Sequence, residues 1–309
     1  MQTENQVLIP GSLLSLAKEA MDKAQKSGAL LSIDTFESFI EDGGVRFVLR
    51  TISSLAEKAK SRIKLAENKK NVNSHSPVHN PFLPYEEDMF VSGISNTHLC
   101  LLNKFKVIDN HLLIVTREFE HQNTLLNRKD FAALWLCLNE FDGLGFYNGG
   151  EIAGASQAHK HLQLIPLGMS EEVSSVPLCV LFPTDGSPGA MLQISSLPFK
   201  HCFAYHGIPL SAMAEDAADR LYALYREMLQ KTRLNKKSDK EDASHTGPYN
   251  LLVTRKWIFL VPRSVECVKT ISVNALGFAG GLLAKNKEEI QIISDIGPMT
   301  ILKKTGISL

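Results

Sequence analysis

The chain has 309 residues, 44% of them hydrophobic and 21% charged, which is the make-up of an ordinary globular protein with enough length for a large core. Lys plus Arg and Asp plus Glu both number 33, so no net field draws the chain to nucleic acid or to an anionic membrane, and any anion site has to be local. The five cysteines are scattered and form no Cys-x-x-Cys, which argues against a disulfide framework, leaves a structural zinc site without sequence support and points to reduced, buried thiols in the cytoplasm.

In chain order, the first residues lack a basic segment followed by an apolar core, so no signal peptide is expected. No run of about 18 apolar residues offers a spanning helix. Leu13, Leu14, Leu16, Ala17, Ala20, Met21 and Ala24 recur at helical spacing behind Gly11-Ser12 and predict an amphipathic helix. The polar stretch 66–81 reads as a loop. HLCLLNKF (98–105) and HLLIVT (111–116) predict a hairpin joined through Lys106–Asn110. Phe131, Leu134, Trp135, Leu138 and Phe141 predict a helix that Asp130 is placed to cap.

Glycines then crowd 143–154, and a strand follows. A second half opens near Val176 with short strands at 176–182 and 199–206 and a helix over about 211–231. The charged stretch 235–247 reads as a surface loop. YNLLVT (249–254) and WIFLVP (257–262) form another hairpin, and 271–285 reads as a turn leading into a helix. Hairpins interleaved with helices, without regular β-α-β alternation, predict an α+β fold with mainly antiparallel sheet flanked by helices.

One stretch of this chain carries chemistry. GASQAHKHLQLIPL (154–167) places His159, His161 and Gln163 at alternate positions of a predicted strand, hence on one face and about 7 Å apart. Lys160, Leu162 and Leu164 take the other face, where the leucines enter a core. The Gly-Ala-Ser-Gln turn before them supplies close backbone N–H groups and a hydroxyl, the sort of nest that holds phosphate oxygens. A neutral imidazole beside such a cradle suits nucleophilic attack on phosphorus. Two histidines on a strand are also the commonplace of a polar surface or of a zinc pair. A zinc pair wants further ligands, and His75, His79, His98, His111 and His121 have no convincing spacing for it.

GASQ followed by HKHLQ resembles the His-x-His-x-Gln motif of the ATP adenylyltransferases, also called diadenosine tetraphosphate phosphorylases, the transferase branch of the histidine-triad superfamily. NPFLPYEEDMFV (80–91), LLNKFKVIDNHLLIVT (101–116), YNGGEIAGASQAHKHLQLIP (147–166), YNLLVTRKWIFLVPRS (249–264) and NALGFAGGLLAK (274–285) resemble that family in the same order. The resemblance implies a histidine-triad-like catalytic part over 1–175, and a C-terminal part over 176–309 packing on the same nucleotide site.

It implies that His161 is the nucleophile that becomes adenylylated, with His159 beside it, and that Gln163 contacts the bound phosphate. Asn148, Gly154, Ala155, Ser156 and Gln157 match nucleotide-phosphate contacts, and Asn103 and Lys104 match a nucleotide-reaching motif of the first hairpin. Asn274, Ala275, Leu276 and Lys285 match a late nucleotide-binding segment, and Lys58 a phosphate-binding lysine. Two positions depart from the family pattern: Gly281 stands where a methionine is expected, and Ala59 follows Lys58 where a proline is common.

The implied reaction is reversible phosphorolysis of diadenosine tetraphosphate to ATP and ADP, with nucleotides and phosphate as partners and neither nucleic acid nor membrane. No obligatory cofactor or metal ligand set follows, and a divalent cation such as Mg arriving with the nucleotide is compatible. Gln163 fits transfer rather than hydrolysis: an amide cannot take a proton from attacking water, whereas phosphate arrives already anionic. Hexose-1-phosphate uridylyltransferases share the His-x-His-x-Gln pattern but tend to carry Pro where this chain has Lys160. Those enzymes, a histidine-triad hydrolase and a nucleotide-binding module without turnover are the alternatives.

Overall fold

The computed structural model describes residues 8–32, 35–52, 80–170, 172–234 and 244–309. Lys58, Ala59, His75, His79 and most of the stretches 66–81 and 235–247 lie outside the described residues.

An N-terminal helix α1 (Leu13–Ser27) precedes β1 (Leu31–Ser32), β2 (Thr35–Asp42) and β3 (Val45–Ile52). Then come β4 (Phe90–Gly93), β5 (His98–Leu102), β6 (Phe105–Lys106), β7 (Leu112–Thr116), helix α2 (Arg128–Glu140), β8 (Gly143–Gly149) and β9 (His161–Pro166). The C-terminal part holds β10 (Cys202–Tyr205), α3 (Ala214–Lys231), β11 (Tyr249–Val253), β12 (Trp257–Pro262), β13 (Cys267–Val268), β14 (Ile271–Ser272), β15 (Gly281–Ala284), α4 (Lys287–Ile296) and α5 (Pro298–Thr305).

Eight strands make one antiparallel sheet in the order β10-β12-β11-β8-β9-β7-β5-β4. The two predicted hairpins, β5/β7 and β11/β12, both form, and each docks one strand against the central β8/β9 pair. The α+β expectation with mainly antiparallel sheet is met. Among the described residues no helix is long and apolar enough to cross a membrane.

Side-chain alternation explains the layering. Leu162 and Leu164 of β9 join Leu112 and Ile114 of β7 in a core against α1, α2 and α3. Burying one such leucine contributes about 1.5–3 kcal/mol. On the opposite face Leu144, Phe146 and Ile165 meet a second core built with β3, β15 and the C-terminal helices. Further along that face Phe82, Leu99, Leu101, Leu113 and Val115 form a third, smaller cluster. His161 and Gln163 fall on this second face, where polar groups line a gap in the apolar cover.

Several local features extend or correct the reading of the sequence. The glycines at 143–149 form a fully buried strand, since a strand covered on both faces has little room for side chains at Gly143 and Gly145. VPLCVLF is a 3-10 turn over Pro177–Leu181, its first position taken by a proline that cannot donate to a ladder. The strand expected at 199–206 is confined to Cys202–Tyr205. Helix α2 starts at Arg128 under an Asn127 cap, and Asp130 closes the capping box by accepting from the Asn127 N–H at 2.7 Å. The 271–285 stretch reaches its helix only after a strand: β15 runs parallel to β3 before α4 begins at Lys287. The β2/β3 hairpin, turning at Asp42-Gly43-Gly44-Val45, is an element the sequence reading did not anticipate.

Candidate active site

β9 begins at His161, and His159 stands before it in an isolated bridge with His121. The ladder starts late because the neighbouring strand β7 ends at Thr116, where the chain bends away. Both imidazoles still lie on one side, their ring centroids 5.6 and 5.4 Å from Phe82. Gln122 bridges the place where β8 and β9 part. Its Oε1 accepts from the His161 N–H at 2.9 Å, and its Nε2 donates to the carbonyls of Asn148 at 2.9 Å and His161 at 3.3 Å.

The surroundings determine which nitrogen of each ring carries the proton. His161 Nδ1 lies 2.8 Å from the backbone carbonyl of His159, a group that only accepts, so Nδ1–H donates and the lone pair sits on Nε2. Among the described residues Nε2 of His161 has no hydrogen-bond partner. His159 is fully engaged: its Nε2–H faces the carbonyls of Thr116 at 2.9 Å and Glu118 at 3.1 Å, while Nδ1 accepts from Asn80 Nδ2 at 3.0 Å. Of these two histidines His161 is the one that offers a free imidazole lone pair. Burial pushes its pKa down to about 4, so that lone pair stays available through neutral pH.

A cavity of about 300 Å³ opens along the same face. Of the expected residues, Asn103, Asn148, Gly154, Ser156, Gln163, Asn274, Leu276 and Lys285 line it. Gly154 has φ +91, and a Cβ there would come within 2.6 Å of the Asn274 Cβ, so the turn and the late segment meet through a glycine. Gly281 also lines it, and a Cβ there would lie 3.2 Å from the Met169 sulfur. Asn148 accepts at Oδ1 from Asn250 Nδ2 and the Ala275 N–H, at 2.8 and 2.9 Å, which turns its own amide donors to the cavity side. Asn250 is in turn held by the buried Arg263 at 2.7 Å.

Other expected residues stand outside the lining. His161 is 4% exposed, one strand repeat from Gln163, and His159 lies beyond it. Ala275 acts through its N–H to Asn148, while Ala155 hydrogen-bonds Gly150 and Gln157 is not among the lining residues. Lys104 pairs with Glu86 at 2.7 Å and does not line the cavity. Lys58 lies outside the described residues.

Residues not anticipated from sequence complete the wall. Arg50 donates to the carbonyls of Val107 and Met169 and pairs with Glu37. His111 donates to Gln163 Oε1 across 2.8 Å, and burial pushes its pKa down to about 4. Among the described residues no cluster of three or more His, Cys, Asp or Glu side chains is placed to hold a metal ion.

His161 and His111 contribute to a pH dependence of stability. In the unfolded chain they titrate near 6.5, so that state binds more protons than the fold as pH drops. Their contribution is full above about pH 6.5 and is lost as pH falls through about 4, at up to about 1.4 kcal/mol per pH unit for each histidine. Urea unfolding midpoints should fall over this window. His111→Phe should remove one histidine's share of the slope, and an unchanged slope would contradict the assignment.

Behind the face that carries His159 and His161, Lys160 is fully buried and pairs with Asp130 at 2.6 Å and Glu120 at 2.9 Å. His98 Nε2 reaches Asp130 at 3.0 Å. Burial works against both charges, yet the pairing prevails and holds Lys160 above its ordinary pKa and Asp130 below its own. Lys160→Met strands the Asp130 carboxylate and is expected to cost about 3–5 kcal/mol. Adding Asp130→Asn should recover part of the loss in a thermal or urea melt. A cost under about 1 kcal/mol, the scale of an exposed pair, would mean that the network does not hold the strand.

The family model for the Ap4A phosphorylase N-terminal domain matches residues 3–184, and that for the ATP adenylyltransferase C-terminal domain matches residues 195–308. Diadenosine 5',5'''-P1,P4-tetraphosphate phosphorylase 2 of Saccharomyces cerevisiae is 29% identical over 247 residues, covering 73% of this chain and 74% of its own. Protein APA1 of the same yeast is 28% identical over 309 residues, covering 93% of this chain and 91% of its own. Among solved structures, yeast Ap4A phosphorylase Apa2 superposes with a TM-score of 0.75 at 23% identity, covering 97% of this chain and 99% of its own. The same enzyme in complex with Ap4A gives a TM-score of 0.74 with the same coverage. At this identity the structural likeness shows the shared fold.

Proposed function

Because this chain belongs to the family of Ap4A phosphorylases and ATP adenylyltransferases, which are nucleotidyltransferases, we propose that it catalyses the reversible phosphorolysis of diadenosine tetraphosphate through an AMP–His161 intermediate. One observation carries this reading. The His159 carbonyl fixes the His161 proton on Nδ1 and leaves a neutral Nε2 lone pair on the face where Gln163 lines a cavity.

Nε2 attacks the α-phosphorus at one end of the dinucleotide. The N–P bond forms, the bridging P–O bond breaks, and ATP leaves with the electron pair. That product is a stable anion and needs little acid assistance. An oxygen of inorganic phosphate then attacks the same phosphorus, breaks the N–P bond and leaves as ADP, and His161 returns to its neutral form. The developing imidazolium is stabilised by the carbonyl at Nδ1. Amide donors of Asn148 and Gln163, with N–H groups and the hydroxyl of Gly154–Gln157, take the phosphoryl oxygens in this reading.

Residues 1–175 supply the histidines and the phosphate cradle, and residues 176–309 close the same nucleotide site with Asn274, Leu276 and Lys285. A divalent cation would arrive with the polyphosphate. The five free cysteines, three of them buried, suit the cytoplasm.

The test is product analysis after incubation with diadenosine tetraphosphate, with and without phosphate. Equal amounts of ATP and ADP with phosphate, and at most one equivalent of ATP per chain without it, are expected. Repeated turnover to AMP and ATP without phosphate would indicate a hydrolase. Binding without turnover would leave only a nucleotide-binding module.

A further inference from the structure

We infer that His111 is a positioning residue for transfer, setting which end of the Gln163 amide faces the phosphate. This rests on the reading of Gln163 as a phosphate contact. An amide has two ends of opposite character, and rotation by half a turn exchanges them at almost no steric cost. In a pocket that receives phosphate oxygens, which only accept, the NH2 end has to face inward and the carbonyl has to be held elsewhere.

The structure holds it. Gln163 Oε1 lies 2.8 Å from His111 Nε2, and both residues line the cavity. Leu113 pairs with Gln163 across β7 and β9, so His111, two residues earlier, projects from the same face. Gln163 Oε1 can only accept, so the His111 ring proton sits on Nε2, while Asn103 Nδ2 lies 3.3 Å from Nδ1 and 3.4 Å from Nε2 and does not select between the two nitrogens. Phe146 packs against the ring at 5.8 Å. With Nε2–H aimed at it, the Gln163 carbonyl stays put. With a hydrocarbon ring in that place the amide rotates freely, and its carbonyl faces the phosphate part of the time.

The experiment is a double-mutant cycle read as kcat and KM for phosphorolysis of diadenosine tetraphosphate. Gln163→Ala is expected to lower kcat by about 10²-fold, the scale of losing one preorganised donor. His111→Phe should lose about 10-fold in kcat with KM nearly unchanged, and the double variant should be no slower than Gln163→Ala alone. His111→Gln, whose amide can donate from a similar reach, should restore most of the loss. If the phenylalanine variant does not accumulate, His111→Asn, too short to span the gap, goes through the same cycle.

Multiplying losses would show that His111 acts independently of Gln163 and would overturn the inference, as would an unaffected His111→Phe beside an impaired Gln163→Ala. Full activity of Gln163→Ala would instead remove the role of Gln163 itself, and the inference with it.

Discussion

Replacing His161 with asparagine is expected to lower kcat for phosphorolysis by at least about 10⁴-fold, the scale on which loss of a nucleophile is felt. Asparagine can still hydrogen-bond, but it has no lone pair able to form a covalent bond to phosphorus at neutral pH. No second imidazole takes over, because both nitrogens of His159 are committed, to Asn80 on one side and to the Thr116 and Glu118 carbonyls on the other. The comparison variant His159→Asn keeps a donor for those carbonyls and leaves the backbone carbonyl that orients His161. Its loss should be near the 10²-fold that a small misplacement of the reacting group costs. Equal losses in the two variants, measured as single-turnover release of ATP, would mean that the histidines do not divide the work in this way.

Exchanging Gln163 for histidine is expected to open the intermediate to water. A positioned imidazole acting as general base contributes about 10²–10⁴-fold, whereas an amide contributes nothing as a base. The effect in the single variant should fall near or below the lower end of that range, because His111 donates into this position and would occupy the new lone pair. In Gln163→His/His111→Phe that competition is gone, and release of free AMP in the absence of phosphate should rise by about 10²-fold. The readout is the ratio of AMP to ADP as phosphate is varied. A ratio unchanged in both variants would place acceptor choice in the phosphate pocket rather than in the missing base.

Read from the residues themselves, the legible parts of the site are those that depend on local periodicity, whereas Asn103, Asn148, Asn274, Leu276 and Lys285 were expected only from the family resemblance. Alternation placed His161 and Gln163 on one face and sent Leu162 and Leu164 into the helical core. The two hairpins followed from paired apolar runs, and α1 from its apolar stripe. What escaped depends on contacts between distant segments. His111 could have been found by extending the parity argument, since 111, 113 and 115 share a face of β7, but only once β7 was known to pair with β9.

Arg50 enters the cavity through the parallel pairing of β3 with β15, more than two hundred residues apart in the chain, and no local pattern announces that. Gln122 is one polar residue among several in a loop, between His121 and Asn123, and its role arises only where β8 and β9 separate. The burial of Lys160 ran against residue type: a lysine on a strand reads as solvated until Asp130 and Glu120 are seen around it. The ring tautomers depend on carbonyls whose directions only the fold sets.

The central claim, a covalent adenylyl group on His161, is tested most directly by intact mass spectrometry. The protein is mixed with diadenosine tetraphosphate in the absence of phosphate, quenched in base, where a phosphorus–nitrogen bond to imidazole survives, and mapped by peptide. The account predicts one added AMP per chain on the peptide containing His161, discharged as ADP when phosphate is added and absent from His161→Asn. Phosphorolysis at the full rate with no adduct at any time, or an adduct that maps to another residue, would contradict it.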